Sequence, residues 1–140
     1  MAEVDKVILR IIDANLNRTA EGLRVIEDIA RLAINSGALS TQLKTLRHSL
    51  VRTSPAFQQE MVWSRDADSD VGRDTDVSGE DNRKELPSIL VANARRVQES
   101  LRVLEEMAKV PAIAPNLDSK KFKQARFALY SIEQESLALL

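Results

Sequence analysis

The chain states one helix twice. ANLNRTAEGLRVIED, Ala14 to Asp28, returns as ANARRVQESLRVLEE, Ala92 to Glu106. With Ala14–Arg31 laid over Ala92–Lys109, a shift of 78, nine of eighteen positions are identical, and Ile26/Leu104, Asp28/Glu106, Ile29/Met107 and Arg31/Lys109 exchange like for like. The likeness continues into KTLRHSL at Lys44 and KQARFAL at Lys123, a shift of 79 that lays Lys44 over Lys123, Arg47 over Arg126 and Leu50 over Leu129. The repeated unit is therefore a helical hairpin. Two hairpins with one apolar stripe each can bury those stripes only against each other, which predicts an all-α four-helix bundle with approximate two-fold symmetry. A solenoid would need at least three repeats.

The elements follow from spacing and punctuation. Ile8, Ile12, Leu16, Leu23, Ile26 and Ala33 recur at helical spacing from about Val4 to Asn35, and NSG, Asn35–Gly37, predicts a glycine terminus there. A second helix is expected from about Ser40 to Thr53 on Leu43, Leu46 and Leu50, with Pro55 as its stop and an extra turn over Phe57–Trp63. Ser64 to Glu85 is polar, carries both signs of charge and has no period, so it reads as a loop or a lid. Pro87 suits the first turn of a third helix reaching about Lys109, and a fourth runs from about Asp118 to the C-terminus. Nothing alternates with the period of a strand. The expected organisation is a single helical domain over 1–140, with hairpin 1 at about 4–63, the polar loop at about 64–85 and hairpin 2 at about 86–140.

With 44% hydrophobic and 29% charged residues the chain is too apolar to be disordered. A net charge of −1 gives no global attraction to nucleic acid or to a membrane surface, so anion binding has to come from local arrangement. The absence of cysteine excludes disulfides, thiol catalysis and Cys-zinc sites. No apolar run approaches eighteen residues and the N-terminus does not resemble a signal peptide. A cytoplasmic location is expected.

The polar residues that repeat carry the functional question. At about 100° per residue, Asn15 falls within about 40° of Thr19, Ile26 and Ile29, inside the apolar stripe. Arg18 and Gly22 lie on the same side, and Asn93, Arg96 and Ser100 reproduce the arrangement. Arg47 and Arg126 fall about 40° from Leu43 and Phe122, on the margin of their stripes, with Glu133 near Arg126. Buried charge without a partner is very unfavourable, so these guanidinium groups must meet carboxylates of the protein or anions from outside. The structural readings stand beside the functional ones: an arginine at a stripe margin snorkels or pairs, an asparagine cross-links helices, and Gly22 permits close packing. Glu27 and Glu105, with Arg24 and Arg102, read as solvated or paired along their helices, and His48 as a surface histidine.

DADSDVG, Asp66–Gly72, spaces three carboxylates two apart but makes a poor calcium loop. Its glycine is seventh where an EF-hand needs it sixth, and Val77 stands where a bidentate glutamate belongs. Magnesium held by one or two carboxylates plus a substrate phosphate remains open. No GxxxxGK[ST], GxGxxG or Ser-His-Asp ordering is present.

RIIDANLNRTAEGLRVIEDIAR, LKTLRHSL, SRDADSDVG, ANARRVQESLRVLEE and ARFALYSIE resemble the successive signatures of the monofunctional hydroxymethylpyrimidine phosphate kinase family. That family is the small helical domain found alone or fused ahead of thiamine phosphate synthase. The resemblance runs from about Arg10 to Glu135. It implies transfer of the γ-phosphoryl group of ATP, with Mg²⁺, to hydroxymethylpyrimidine monophosphate, giving the diphosphate used to build thiamine. The chain has neither the length nor the strand pattern of the synthase barrel.

Phosphoryl transfer between polyanions needs positioning and charge neutralisation, and arginine forks match phosphate oxygens in pairs. The candidate substrate-binding residues are Asn15, Arg18, Arg47, Asn93, Arg96 and Arg126. Asp66 and Asp70 are the candidate metal ligands, and with Arg65 and Arg73 the candidate catalytic set. The expected partners are a pyrimidine phosphate and ATP, without nucleic acid or membrane; a homodimer and thiamine phosphate synthase stay open as protein partners. The alternative is a non-catalytic helical interaction or regulatory domain associated with that synthase, its arginines paired with Glu21, Glu99 or Glu133.

Overall fold

The computed structural model describes residues 5–140. Within them the chain is an all-helical bundle of five helices, α1 (Lys6–Asp28), α2 (Gly37–Val51), α3 (Pro55–Ser64), α4 (Leu86–Met107) and α5 (Ser119–Leu139). The expected helix start and hairpin boundary at Val4 lie outside the described residues. Asp5 caps α1, its Oδ1 accepting from Val7 N at 2.8 Å.

The end of the first helix differs from expectation. A π-helical turn, Ile29–Ala33, follows α1, and Asn35, not Gly37, takes the left-handed conformation with φ of 59°. Ser36 N then donates to Ala30 O at 2.9 Å, so the exposed carbonyls at the helix end are met by the reversing chain. Asparagine tolerates this region because its short amide bonds locally. Gly37 is left to open α2, which Ser36 caps by accepting from Leu39 N at 3.1 Å.

α2 ends ahead of Pro55 as expected, and the extra turn expected over Phe57–Trp63 is a full helix that Pro55 opens. Ser54 caps α3, its Oγ accepting from Phe57 N at 3.2 Å, and the proline occupies the first turn, where its missing N–H costs nothing. Phe57 and Met61 enter the core, which is why a short ten-residue segment holds as a helix rather than a frayed turn. From Arg65 to Glu85 no residue is buried, and the only helical piece is a single 3₁₀ turn at Ala67–Ser69.

α1 and α4 pack against each other at the centre; α2 flanks α1, α5 flanks α4, and α3 covers α1. Ile12, Leu23, Ile26, Leu90, Val97, Leu101 and Leu104 are completely buried between these layers. The two central helices approach closely through reciprocal positions. Thr19 Oγ1 and Ser100 Oγ lie 2.7 Å apart. Their counterparts at the shift of 78, Val97 and Gly22, face each other so tightly that a Cβ on Gly22 would stand 2.4 Å from Val97 Cγ2 and 3.3 Å from Asn93 O. Gly22 thus serves close packing.

Candidate functional site

Four of the six predicted binding residues meet. Asn15 and Arg18 from α1 and Asn93 and Arg96 from α4 line one cavity of about 570 Å³, beside the helix crossing made by Gly22 and Ser100. Each asparagine is held the same way by its own helix: Asn15 Nδ2 donates to Ile11 O and Asn93 Nδ2 to Ile89 O, both at 2.8 Å. Asn15 is buried and Asn93 half-buried, while Arg18 and Arg96 are exposed at the rim instead of inside the stripe. The buried arc of α1 is broader than its aliphatic stripe because α4, α2 and α3 all pack on it. Asn15 therefore sits at one edge of that arc, facing the cavity.

Glu21 and Glu99, a further repeated pair, share the cavity, and the polar segment contributes Glu80 and Asp81. Carboxylates outnumber guanidinium groups, four to two. No ion pair joins Arg18 or Arg96 to them among the described residues; Arg18 Nη1 donates instead to Asn15 Oδ1 at 3.4 Å. The pairing with Glu21 or Glu99 expected of a non-catalytic domain is not formed.

Arg47 and Arg126 stand apart from that cavity. Arg47 Nη2 lies 3.1 Å from Glu27 Oε2 and Arg126 Nη2 3.1 Å from Glu105 Oε1, with all four side chains largely withdrawn from water. Glu27 and Glu105 are buried, not solvated, and Glu105 is also paired along its helix as expected, Arg102 Nη1 donating to its Oε2 at 3.2 Å. They lie on the sides of α1 and α4 that α2 and α5 cover, and the incoming arginines neutralise them. Glu133 accepts from Gln98 Nε2 at 3.0 Å instead of pairing with Arg126. The two pairs differ in detail. Arg47 Nε donates to Glu27 at 3.2 Å, whereas Arg126 Nε is buried without a partner and its guanidinium lies over the Phe127 ring at 5.2 Å. Hydrogen bonds from Arg126 to the Tyr130 hydroxyl and to Glu105 hold its guanidinium above the usual arginine value. Arg24 and Arg102 do pair along their helices, Arg24 with Asp28 at 3.8 Å and Arg102 with Glu106 at 3.2 Å, and His48 is exposed.

The loop residues build a second cavity, of about 520 Å³, where Arg65, Asp66 and Asp70 meet Arg10 and Asp13 of α1. Its fixed point is Arg65, whose Nε and Nη2 donate to the two carboxylate oxygens of Asp13 at 2.7 and 3.0 Å. This fork raises the guanidinium above its ordinary pKa, hydrogen bonding to Asp13 outweighing desolvation. Arg10 Nη2 reaches Asp66 O at 3.3 Å. Arg73 is not in this cavity; it lies near Asp68 at 3.6 Å and Asp74 at 3.5 Å on the exposed segment. Asp13 was missed in the sequence because it has no counterpart in the repeat, where Val91 stands. Its only signal is a charge next to Ile12 in an aliphatic run.

No group of three or more metal-ligating side chains gathers among the described residues. Magnesium is compatible with that, since it is commonly held by one or two carboxylates and completed by phosphate oxygens and water. Asp66 and Asp70 both line the second cavity, where Asp70 Oδ1 accepts from Gly72 N at 2.9 Å.

The ThiD2 family matches residues 10–135, and the chain belongs to that family. It is 39% identical over 94% of its length to the thiamine-phosphate synthase of Nostoc punctiforme and 40% identical over 74% of its length to that of Rhodopirellula baltica. It is 40% identical over 89% of its length to the thiamine-phosphate synthase of Thermosynechococcus vestitus. The chain spans about a third of the length of these curated relatives, 36%, 28% and 34% respectively. No solved structure matches it. No helix among the described residues is long and apolar enough to cross a membrane.

Proposed function

We propose that this ThiD2-family chain transfers the γ-phosphoryl group of ATP, with Mg²⁺, to 4-amino-5-hydroxymethyl-2-methylpyrimidine phosphate, yielding the diphosphate in thiamine biosynthesis. One observation carries the reading: the cavity of Asn15, Arg18, Asn93 and Arg96 and the cavity of Arg65, Asp66 and Asp70 follow one another along α1. Asp13 and Arg18 are five residues apart, so the two sites are separated by only about 8 Å along the helix axis. They also lie about 140° apart around α1, so donor and acceptor have to reach from one cavity to the next for their phosphates to meet.

The chemistry asks little of the protein beyond placement. An oxygen of the acceptor monoester attacks the γ-phosphorus while the bond to the β,γ-bridging oxygen breaks, and ADP leaves. That oxygen already carries negative charge near neutral pH, because the second phosphate pKa is about 6. No side chain need remove a proton, in keeping with a site built from guanidinium, amide and carboxylate groups while the single histidine lies exposed on α2. Arg18 and Arg96 bind the acceptor phosphate, and Arg65, fixed by Asp13, meets the polyphosphate of the donor. Asp66 and Asp70 would hold Mg²⁺, which when bound neutralises charge on the donor phosphates. The surplus of carboxylate in the first cavity disfavours a bare phosphate dianion, so that substrate is best bound together with a cation.

Coupled measurement of ADP formation with the pyrimidine monophosphate, across Mg²⁺ concentrations, tests the reading. Phosphorus NMR should show the pyrimidine diphosphate accumulating in step with ADP. No turnover at any Mg²⁺ concentration would overturn it.

A further inference from the structure

We infer that Asn93, and not its repeat counterpart Asn15, reads the substrate ring, its Oδ1 accepting a hydrogen bond from an amino group on the heterocycle. The inference rests on the pyrimidine reading above. Each asparagine donates from Nδ2 to the carbonyl four residues back, at 2.8 Å. A backbone carbonyl can only accept, so the nitrogen end of each amide is fixed on the helix and the oxygen is the end left over. In α1 that oxygen is engaged, because Arg18 Nη1 donates to Asn15 Oδ1 at 3.4 Å. In α4 it is not: no donor among the described residues bonds Asn93 Oδ1, although Arg96 stands at the position equivalent to Arg18.

The repeat has thus given one cavity two amides with different work. Asn15 is tied to an arginine and helps hold a phosphate-binding fork. Asn93 presents an acceptor that no donor among the described residues claims and that stays open to the cavity, where a ligand donor can replace water. The cavity, at about 570 Å³, falls in the range of sites for small molecules, and Val103, about 15 Å further along α4, adds an apolar side chain to its lining. An exocyclic amino group on a flat ring satisfies Oδ1. A ring oxo group in its place would set acceptor against acceptor, so Asn93 determines specificity for the 4-amino over the 4-oxo ring.

The test compares the 4-amino monophosphate with its 4-oxo analogue, by calorimetric titration without ATP and by kcat/KM with it, on wild type, Asn93→Ala, Asn93→Asp and Asn15→Ala. Wild type should prefer the amino compound by at least about tenfold, as expected where a site is built to bond a polar group of the substrate. Asn93→Ala should bring that preference close to unity. Asn93→Asp keeps an acceptor but loses the Nδ2 donor that holds it on Ile89 O and adds charge to an acidic cavity, so it should weaken both compounds while still favouring the amino one, a readout that stands even where Asn93→Ala folds poorly. Asn15→Ala should weaken both compounds alike. A preference unmoved in Asn93→Ala, or lost in Asn15→Ala, overturns the assignment. A binding preference that follows Asn93 without any turnover would uphold it and overturn the kinase reading alone.

Discussion

Arg65 reaches back across 52 positions of sequence to grip Asp13 with two nitrogens, at 2.7 and 3.0 Å. The carboxylate lies buried in α1, while the arginine, at the end of α3, is about half exposed. This pair pins the first residue of the polar segment to the central helix, so the exposed Asp66–Asp70 stretch starts from a fixed point. Fixing the start of a loop is the least costly way to aim it.

Removing the arginine leaves the Asp13 carboxylate buried without its partner. Arg65→Met should therefore destabilise the fold by about 1–3 kcal/mol, the cost of an unsatisfied buried group. Solvent access to Arg65 keeps the loss below that of a fully buried pair. Asp13→Asn, which retains shape and one acceptor, should lose less. Urea denaturation of both variants measures the difference, and an unchanged midpoint in Arg65→Met would mean that water replaces the guanidinium without penalty.

Arg47–Glu27 and Arg126–Glu105 predict a steeper response, because in each pair both side chains are mostly buried. Arg47→Met alone strands the Glu27 carboxylate against α1 and should cost about 3–5 kcal/mol, whereas Arg126→Met should cost less, because Arg102 Nη1 still donates to Glu105 Oε2 at 3.2 Å. Replacing both members, as in Arg47→Met with Glu27→Leu, should recover much of that loss, since an apolar pair of similar volume needs no compensation. Thermal melts of the single and double variants provide the comparison. A double variant as unstable as the single one would show that the ion pair itself, not the stranded charge, holds the hairpin.

Two glycines should respond oppositely to alanine. At Gly22 the added methyl would lie 2.4 Å from Val97 Cγ2 and 3.3 Å from the Asn93 carbonyl. Gly22→Ala should then cost about 1–3 kcal/mol by overpacking, with part recovered in a Gly22→Ala, Val97→Ala double variant. At Gly37, in the first turn of α2, nothing lies within 4 Å. Gly37→Ala should stabilise by about 0.4–1 kcal/mol through the unfolded chain. Chemical denaturation of the three proteins checks both signs.

The bundle was legible because its aliphatic periodicity and its repeat speak to the same question of which faces must be buried. What the sequence hid is explained by neighbours that helical angles alone do not include. Glu27 and Glu105 look solvated on a helical wheel centred on Asn15, yet α2 and α5 cover them, and the sign that they are paired was the joint repetition of Glu27 with Arg47 and Glu105 with Arg126. The segment after Pro55 read as one extra turn because periodicity alone does not show the core slot that Phe57 fills. For the site, the repeat located Asn15, Arg18, Asn93 and Arg96 together, since polar residues repeated on the same side of two helices that pack on each other converge beside their crossing. It could not separate Arg47 and Arg126 from them, because all four are repeated arginines and only tertiary contacts distinguish them. Asp13 is not repeated at all.

The loop carboxylates give a prediction that separates activity from folding. Asp66 and Asp70 are exposed and belong to a segment without buried residues. Asp66→Asn with Asp70→Asn should leave the melt within about 0.5 kcal/mol of wild type, as for surface substitutions generally. Turnover should fall and its Mg²⁺ dependence should shift to higher concentration. A normal rate with an unshifted Mg²⁺ curve would remove these residues from the mechanism.

The four repeated arginines offer the sharpest test of why the segment is stated twice. Arg18 and Arg96 stand exposed on one cavity with no carboxylate paired to them among the described residues, whereas Arg47 and Arg126 are neutralised within the fold. Methionine keeps much of the apolar stem and removes the fork, so it separates charge recognition from packing. Arg18→Met and Arg96→Met should each weaken binding of the pyrimidine monophosphate by about 1.5–3 kcal/mol, the range for hydrogen bonds to charged groups. Neither should destabilise the bundle as Arg47→Met does, and the excess of acid left in the cavity should add to the loss of affinity. The two losses are expected to be unequal, because Arg18 also bonds Asn15 Oδ1 and Arg96 makes no equivalent bond to Asn93. Ligand titrations set beside thermal melts decide the matter. A large loss of stability with unchanged affinity in both variants would sink the shared cleft and leave the repeat as a device for packing two hairpins together.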